Sequence, residues 1–199
     1  HTRSPIGLIG PGTGLGVGGL VPEGPSGWRP LSTEGGHVTL AAQTQREDQV
    51  LAVLRRRFGH VSAERAVSGP GLVHLYEALC DIEGRPQPSG LLARDVAGEA
   101  PPGFVETRLA DEALDLFLAF LGSTAGNLAL TLGARGGVFI GGGIVPRLEH
   151  RRLMNSPLHE RFVAKGRFEP YLRSLPLNLI TSDRYPALRG AAQALDDVL

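Results

Sequence analysis

The sequence predicts an α/β fold, a mixed five-stranded sheet flanked by helices. Three observations carry this expectation. Short, glycine-punctuated apolar runs crowd residues 5–32, leaving no room for a helix between them. Helical segments then alternate with two further strand-like runs, 136–144 and 175–182. Between those blocks, Leu114, Phe117, Leu118, Leu121, Leu128 and Leu132 cover most of one helical circumference over 105–133. A helix that is apolar nearly all round must be buried.

Each element can be justified in order. PIGLIGPGTGLGVGGLVP (5–22) reads as a strand, a glycine turn and a second strand. After the turn PEGPSG, GWRPLS (27–32) makes a third, and strands joined this closely form an antiparallel meander. Thr44 and Glu47 form a T-x-x-E capping box. Val50, Leu51, Leu54 and Phe58 then share one face until Gly59 stops the run. A second helix is expected to open near Ser62. A third is expected through Leu72, Leu75, Tyr76 and Leu79, with Ser68 as its N-cap. Residues 86–103, rich in proline and glycine, read as an excursion around a short helix. GGVFIGGGI (136–144) is a strand ending in a glycine turn, with a helix expected near Pro146. LPLNLITS (175–182) is the last strand. A final helix is expected over 186–197, with Ala187, Leu188, Ala191, Leu195 and Val198 close to one face.

Composition narrows the function. A formal net charge of zero removes the electrostatic argument for nucleic acid or an anionic membrane surface, so neither partner is expected. The single cysteine, Cys80, can form no internal disulfide or cysteine cluster and is expected to pack as a small hydrophobe. That makes the cytoplasm the expected compartment. No run of 18 consecutive apolar residues occurs, so no membrane span is expected.

Four stretches could carry chemistry. GPGTGLGVGG (10–19) contains a formal G-x-G-x-x-G match, but a strand follows it where a dinucleotide fold needs a helix. No G-K-[ST] follows either. What remains is a turn whose backbone N–H groups and Thr13 hydroxyl suit phosphate oxygens, or else a plain tight hairpin. GGVFIGGGIVP (136–146) places three glycines at the end of a strand, where a flat ring can lie on the backbone. An ordinary strand-to-helix turn explains the same pattern. In TEGGH (33–37), Glu34 accepts hydrogen bonds and His37 can both donate and accept, a pairing that reads vicinal hydroxyls. A polar turn is the simpler alternative. Glu64 follows Ser62 by two residues, and helix stabilisation is the simplest reason for a carboxylate there. No ligand set for a metal ion is expected.

The segments GPGTGLG, EGGHV, GHVSAERAVSGPGL, NLALTLGARGGVFIGGGIVPR and KGRFEPYL run in one order from about residue 6 to near the end. In them the chain resembles the ATP-dependent bacterial glucokinase family, within the hexokinase and actin superfamily. The resemblance implies a ribonuclease H-like (actin-like ATPase) domain. It implies that Gly12, Thr13 and Gly14 contact phosphate, and that Gly141, Gly142 and Gly143 belong to the adenosine motif. Glu34, His37 and Glu64 would bind glucose hydroxyls. The ligands implied are glucose and ATP, with Mg2+ on the nucleotide phosphates. The reaction implied is phosphorylation of glucose to glucose 6-phosphate.

The family's base is an aspartate in an asparagine–aspartate pair preceding all these stretches, beyond a first phosphate loop, and neither motif is present here. Residues 1–185 are therefore expected to be the large C-terminal domain, with 186–199 packing on a small N-terminal domain of about 100–150 residues that is missing. On that view no catalytic base lies in this chain, which alone would be inactive. The apolar stripe of the last helix would be free to make a homodimer. A sugar-sensing regulator of the ROK family and a non-catalytic sugar-binding protein are the alternatives. The ROK cysteine motif cannot be supplied by Cys80 alone.

Overall fold

The structure, a computed structural model, describes residues 3–181. The final helix expected over 186–197 lies outside the described residues.

Strands β1 (Ile6–Pro11), β2 (Leu15–Glu23) and β3 (Gly27–Thr33) form the expected meander. Each pair is antiparallel, with Ile6 opposite Leu20 and Val17 opposite Thr33. Short turns permit only antiparallel neighbours, whereas a strand reached through helices can return parallel. Accordingly β4 (Val138–Ile140) runs parallel to β1, and β5 (Leu177–Leu179) runs parallel to β4. The sheet order is β3-β2-β1-β4-β5.

Helices α1 (Gln45–Phe58), α2 (Gly69–Glu83) and α3 (Thr107–Leu132) form the bulk of the cover. The short helices α4 (His150–Met154), α5 (Leu158–Val163) and α6 (Glu169–Arg173) complete it. By length and composition α3 could cross a membrane, with mean hydropathy 1.5 over its most apolar window. That window is 78% buried inside the fold, which marks a core helix. Its burial is as expected from the all-round apolar pattern. Gly7 and Gly19 face each other across β1 and β2, and together they admit the last turns of α3. A Cβ at Gly19 would lie 2.6 Å from Leu132 Cδ1, and one at Gly7 would lie 3.1 Å from Leu128 Cδ2. Fully buried Phe117, Leu118, Phe120 and Leu121 fill the interior, each contributing about 1.5–3 kcal/mol.

The Thr44 cap forms as expected, its hydroxyl accepting the Glu47 N–H at 3.2 Å. The reciprocal arm does not close onto Thr44. The Glu47 carboxylate instead accepts the N–H of Gln43 at 2.6 Å and pairs with Arg161 on α5. Glu47 is 2% exposed, and a carboxylate that deep requires a cation. Arg161 Nη2 donates to Glu47 Oε2 and to Ser123 Oγ on α3, both at 3.1 Å. Lys165 Nζ adds a bond to the Ser123 carbonyl at 3.0 Å. One polar cluster thus ties α1, α3 and α5 together.

Two helix expectations need correction. Near Ser62 the chain makes only a 3-10 turn, Ala63–Arg65, and the Ser62 hydroxyl caps nothing. The backbone extends again at Ser68, and Pro70 in the first turn of α2 starts a new helix there. Pro146 likewise opens a 3-10 turn, Val145–Arg147. The excursion over 86–103 does contain one short helical segment, Asp95–Glu99.

Replacing Glu47 with Ala strands a buried guanidinium. Urea unfolding should show a loss of about 3–5 kcal/mol, against at most about 1 kcal/mol for Arg57→Ala at the exposed pair with Glu77. Cys80 is fully buried and burial pushes its thiol above the usual range, so a thiol reagent should modify it only after denaturant is added.

Candidate functional site

The stretches singled out in the sequence meet where β1 ends and β2 begins. The turn Gly12–Gly14 joins these two strands, closed by the Gly12 N–H donating to the Gly14 carbonyl at 2.8 Å. The Gly12 carbonyl accepts the Gly69 N–H at 2.7 Å, which sets the turn against the start of α2. Thr13 at its tip is exposed, and a Cβ at Gly12 would meet nothing within 4 Å. The backbone there is open to a ligand.

Leu15, the first residue of β2, is the junction. Its N–H donates to Glu64 Oε2 at 2.8 Å. Its carbonyl lies against Gly36, the middle of the 3-10 turn Gly35–His37, so closely that any Cβ at Gly36 would collide with it. This explains the paired glycines of TEGGH. They seat the turn on β2, and Glu34 and His37 stand at its two ends with their side chains 91% and 60% exposed. Glu34 Oε2 and His37 Nε2 are 3.8 Å apart.

A short antiparallel bridge holds this turn beside the one that carries Glu64. Thr39 pairs with Ser62, the Ala63 N–H donates to the Val38 carbonyl at 2.9 Å, and the Leu40 N–H donates to the Val61 carbonyl at 3.0 Å. His60 Nε2 and Thr39 Oγ1 are hydrogen-bonded at 3.0 Å. Glu64 therefore has a role that local sequence did not suggest. Its carboxylate crosses to the N–H of Leu15, directly after the Gly12–Gly14 turn.

The third glycine cluster lies alongside. The Gly141 N–H donates to the Ile9 carbonyl at 2.8 Å, and the Gly143 N–H donates to the Pro11 carbonyl at 3.1 Å. Gly142 has φ +83°, and a Cβ there would strike the Pro11 carbonyl. So Gly141–Gly143 is pinned to the end of β1, the root of the Gly12–Gly14 turn. Gly143 also borders a cavity of about 610 Å³, a volume in the range of small-molecule sites. Residues 93–103, the start of α3, Ile144, Arg147 and Arg152 form its other walls.

Local sequence signals missed two parts of this site. The Leu15 N–H is a backbone group on an apolar residue and leaves no mark in a motif. The cavity wall over 93–103 was legible only as proline and glycine density. Among the described residues, no cluster of three His, Cys, Asp or Glu side chains could hold a metal ion.

The glucokinase family model matches residues 1–198. A glucokinase of Aromatoleum aromaticum is 53% identical over 195 residues, which cover 98% of this chain and 57% of that protein. The crystal structure of a glucokinase from an Antarctic psychrotroph superposes with a TM-score of 0.87 at 42% identity, covering 99% of this chain and 59% of the other. A ROK family glucokinase from Streptomyces griseus, in complex with glucose and AMPPNP, gives a TM-score of 0.56 at 17% identity. The match spans 90% of this chain and 55% of that one, and the likeness is one of fold. The chain thus spans a little over half the length of these relatives.

The packing of the turns can be tested without any ligand. Gly36→Ala should cost about 1–3 kcal/mol in urea unfolding, because its Cβ meets the fixed Leu15 carbonyl. Gly12→Ala, whose Cβ meets open space, should stay within about 0.5 kcal/mol of the wild type.

Proposed function

The chain belongs to the glucokinase family, and from that premise we propose that the protein transfers the γ-phosphoryl group of ATP to D-glucose. One observation carries the reading. A carboxylate suited to sugar hydroxyls, Glu64, and a glycine turn suited to phosphate, Gly12–Gly14, are joined at Leu15. Glu34, His37 and Glu64 read the sugar, their acceptors and donors matching the alternating hydroxyls of a hexose. Backbone N–H groups of Gly12–Gly14 and the Thr13 hydroxyl bind the donor's phosphates. Adenosine lies along Gly141, Gly142 and Gly143 and enters the cavity beside Gly143.

Phosphoryl transfer needs chiefly alignment and charge stabilisation, which suits a site built so largely from main chain. When bound to the nucleotide phosphates, Mg2+ would supply neutralisation of the charge that develops there. No residue of this chain is assigned as the base that takes the sugar hydroxyl proton. The kinase is favoured over a regulator or a plain sugar-binding protein because the phosphate turn and the adenosine glycines stand next to the sugar-reading groups.

Glu64→Gln tests the sugar assignment in the intact protein. Loss of charged hydrogen bonds at about 1.5–3 kcal/mol each should lower kcat/KM for glucose by about 10- to 150-fold, with the fold intact by circular dichroism. Unchanged glucose kinetics in that variant would refute the assignment.

A further inference from the structure

Glu64 has one carboxylate and, on the functional reading above, two clients. Oε2 is already committed to the Leu15 N–H at 2.8 Å, which leaves Oε1 for a sugar hydroxyl. We infer that this carboxylate couples the two substrate sites: sugar held on Oε1 fixes Oε2 on Leu15, and so sets the phosphate turn for the nucleotide. The inference rests on the glucokinase reading but goes beyond the binding roles assigned there.

The geometry supports a coupling in this direction. The phosphate turn is held at two points of different character. At Gly12 its carbonyl takes the Gly69 N–H of α2, a bond between main-chain groups. At Leu15, which also pairs with Pro11 of β1, the N–H is held by the end of a half-buried side chain with three rotatable bonds. The first anchor is rigid and the second is ligand-sensitive. The main chain of Glu64 is itself fixed to the same helix, since Ser68 Oγ donates to the Glu64 carbonyl at 2.8 Å and accepts the Gly71 N–H at 3.0 Å. Its side chain, held by the one bond to Leu15, is the part that remains to be ordered further. A sugar that orders it removes that entropy cost from the later binding of phosphate, and the gain appears as positive cooperativity.

Leu15 also links the turn to the remaining sugar groups, because Gly36 lies on its carbonyl. Sugar bound at Glu34, His37 and Glu64 would thus clamp one residue, Leu15, through the peptide groups on both its sides.

Gly14 offers a clean probe. Its φ is not left-handed, so alanine fits the backbone. Its Cβ would lie 2.5 Å from Glu64 Oε2, the movable end of a side chain, and would push that oxygen off the Leu15 N–H. The measurement is the affinity of the intact protein for AMPPNP with and without saturating glucose, by titration calorimetry. The ratio of the two dissociation constants is the coupling factor, and it must equal the effect of AMPPNP on glucose binding. In the wild type the factor should fall within about 5–150. In Gly14→Ala it should approach one, whatever the variant does to either affinity alone. A second measurement needs no variant: glucose alone should slow hydrogen exchange at the Leu15 amide. A protein that binds both ligands but keeps its full coupling factor in Gly14→Ala overturns the inference and leaves the functional reading standing. So does a Leu15 amide indifferent to glucose. A protein that binds neither glucose nor AMPPNP overturns the functional reading, and the inference with it.

Discussion

The constraint on which the rest of the structure depends is the burial of α3. A 26-residue helix that is apolar nearly all round must be covered on most of its sides. The sheet covers it through the glycine pair of β1 and β2, and α2, α5 and the segment around Asp95–Glu99 cover the rest. This burial also places the candidate site. α3 ends at Gly133, whose φ of +58° turns the chain back under the helix. β4 then enters beside β1 in the parallel sense, and its glycine turn arrives at the carboxyl end of β1. The adjacency of Gly141–Gly143 and Gly12–Gly14 follows from that route.

Against this apolar background the cluster of Glu47, Arg161 and Ser123 has a separate role. An ion pair so deep adds little net stability compared with apolar side chains of the same volume, because both charges lose their hydration. What it does supply is direction. Hydrophobic contact alone would let α5 slide along α3, whereas Arg161 Nη2 can meet Glu47 and Ser123 together in few positions. Lys165, whose pKa is depressed by burial and by the Arg161 charge, reaches the same Ser123 residue through its carbonyl. A single register of α1, α3 and α5 satisfies all three.

How much of this was legible in the sequence depended on range. The meander, the Thr44 cap, the buried α3 and both later strands were legible because turn chemistry and apolar period act within a few residues. The three glycine clusters were legible as turns, and TEGGH as a pair of polar groups on a hinge. Local sequence alone offered only helix stabilisation for Glu64, for a physical reason. Its partner is a backbone N–H 49 residues away, and no local pattern encodes that distance. The helix expected at Ser62 failed for a similar cause. Its polar groups answer to the bridge with Thr39, and Pro70 assigns the next helix a start of its own. The glycines of TEGGH were explained by their neighbours on β2, which only the fold supplies.

A site made this way carries an unusual kind of specificity. Much of its surface is main chain at Gly12–Gly14 and Gly141–Gly143, so the absence of side chains shapes it as much as their identity. Gly36 and Gly142 each face a carbonyl that cannot move, and Gly14 faces the one carboxylate that can. The first two positions protect the shape of the cleft, because a methyl group there would shift a strand end. The third is different in kind. A methyl group at Gly14 leaves the strands in place and displaces only Glu64. The sequence thus uses the same residue type for two purposes, to fix the frame at Gly36 and Gly142 and to leave room at Gly14 for the side chain that reaches Leu15.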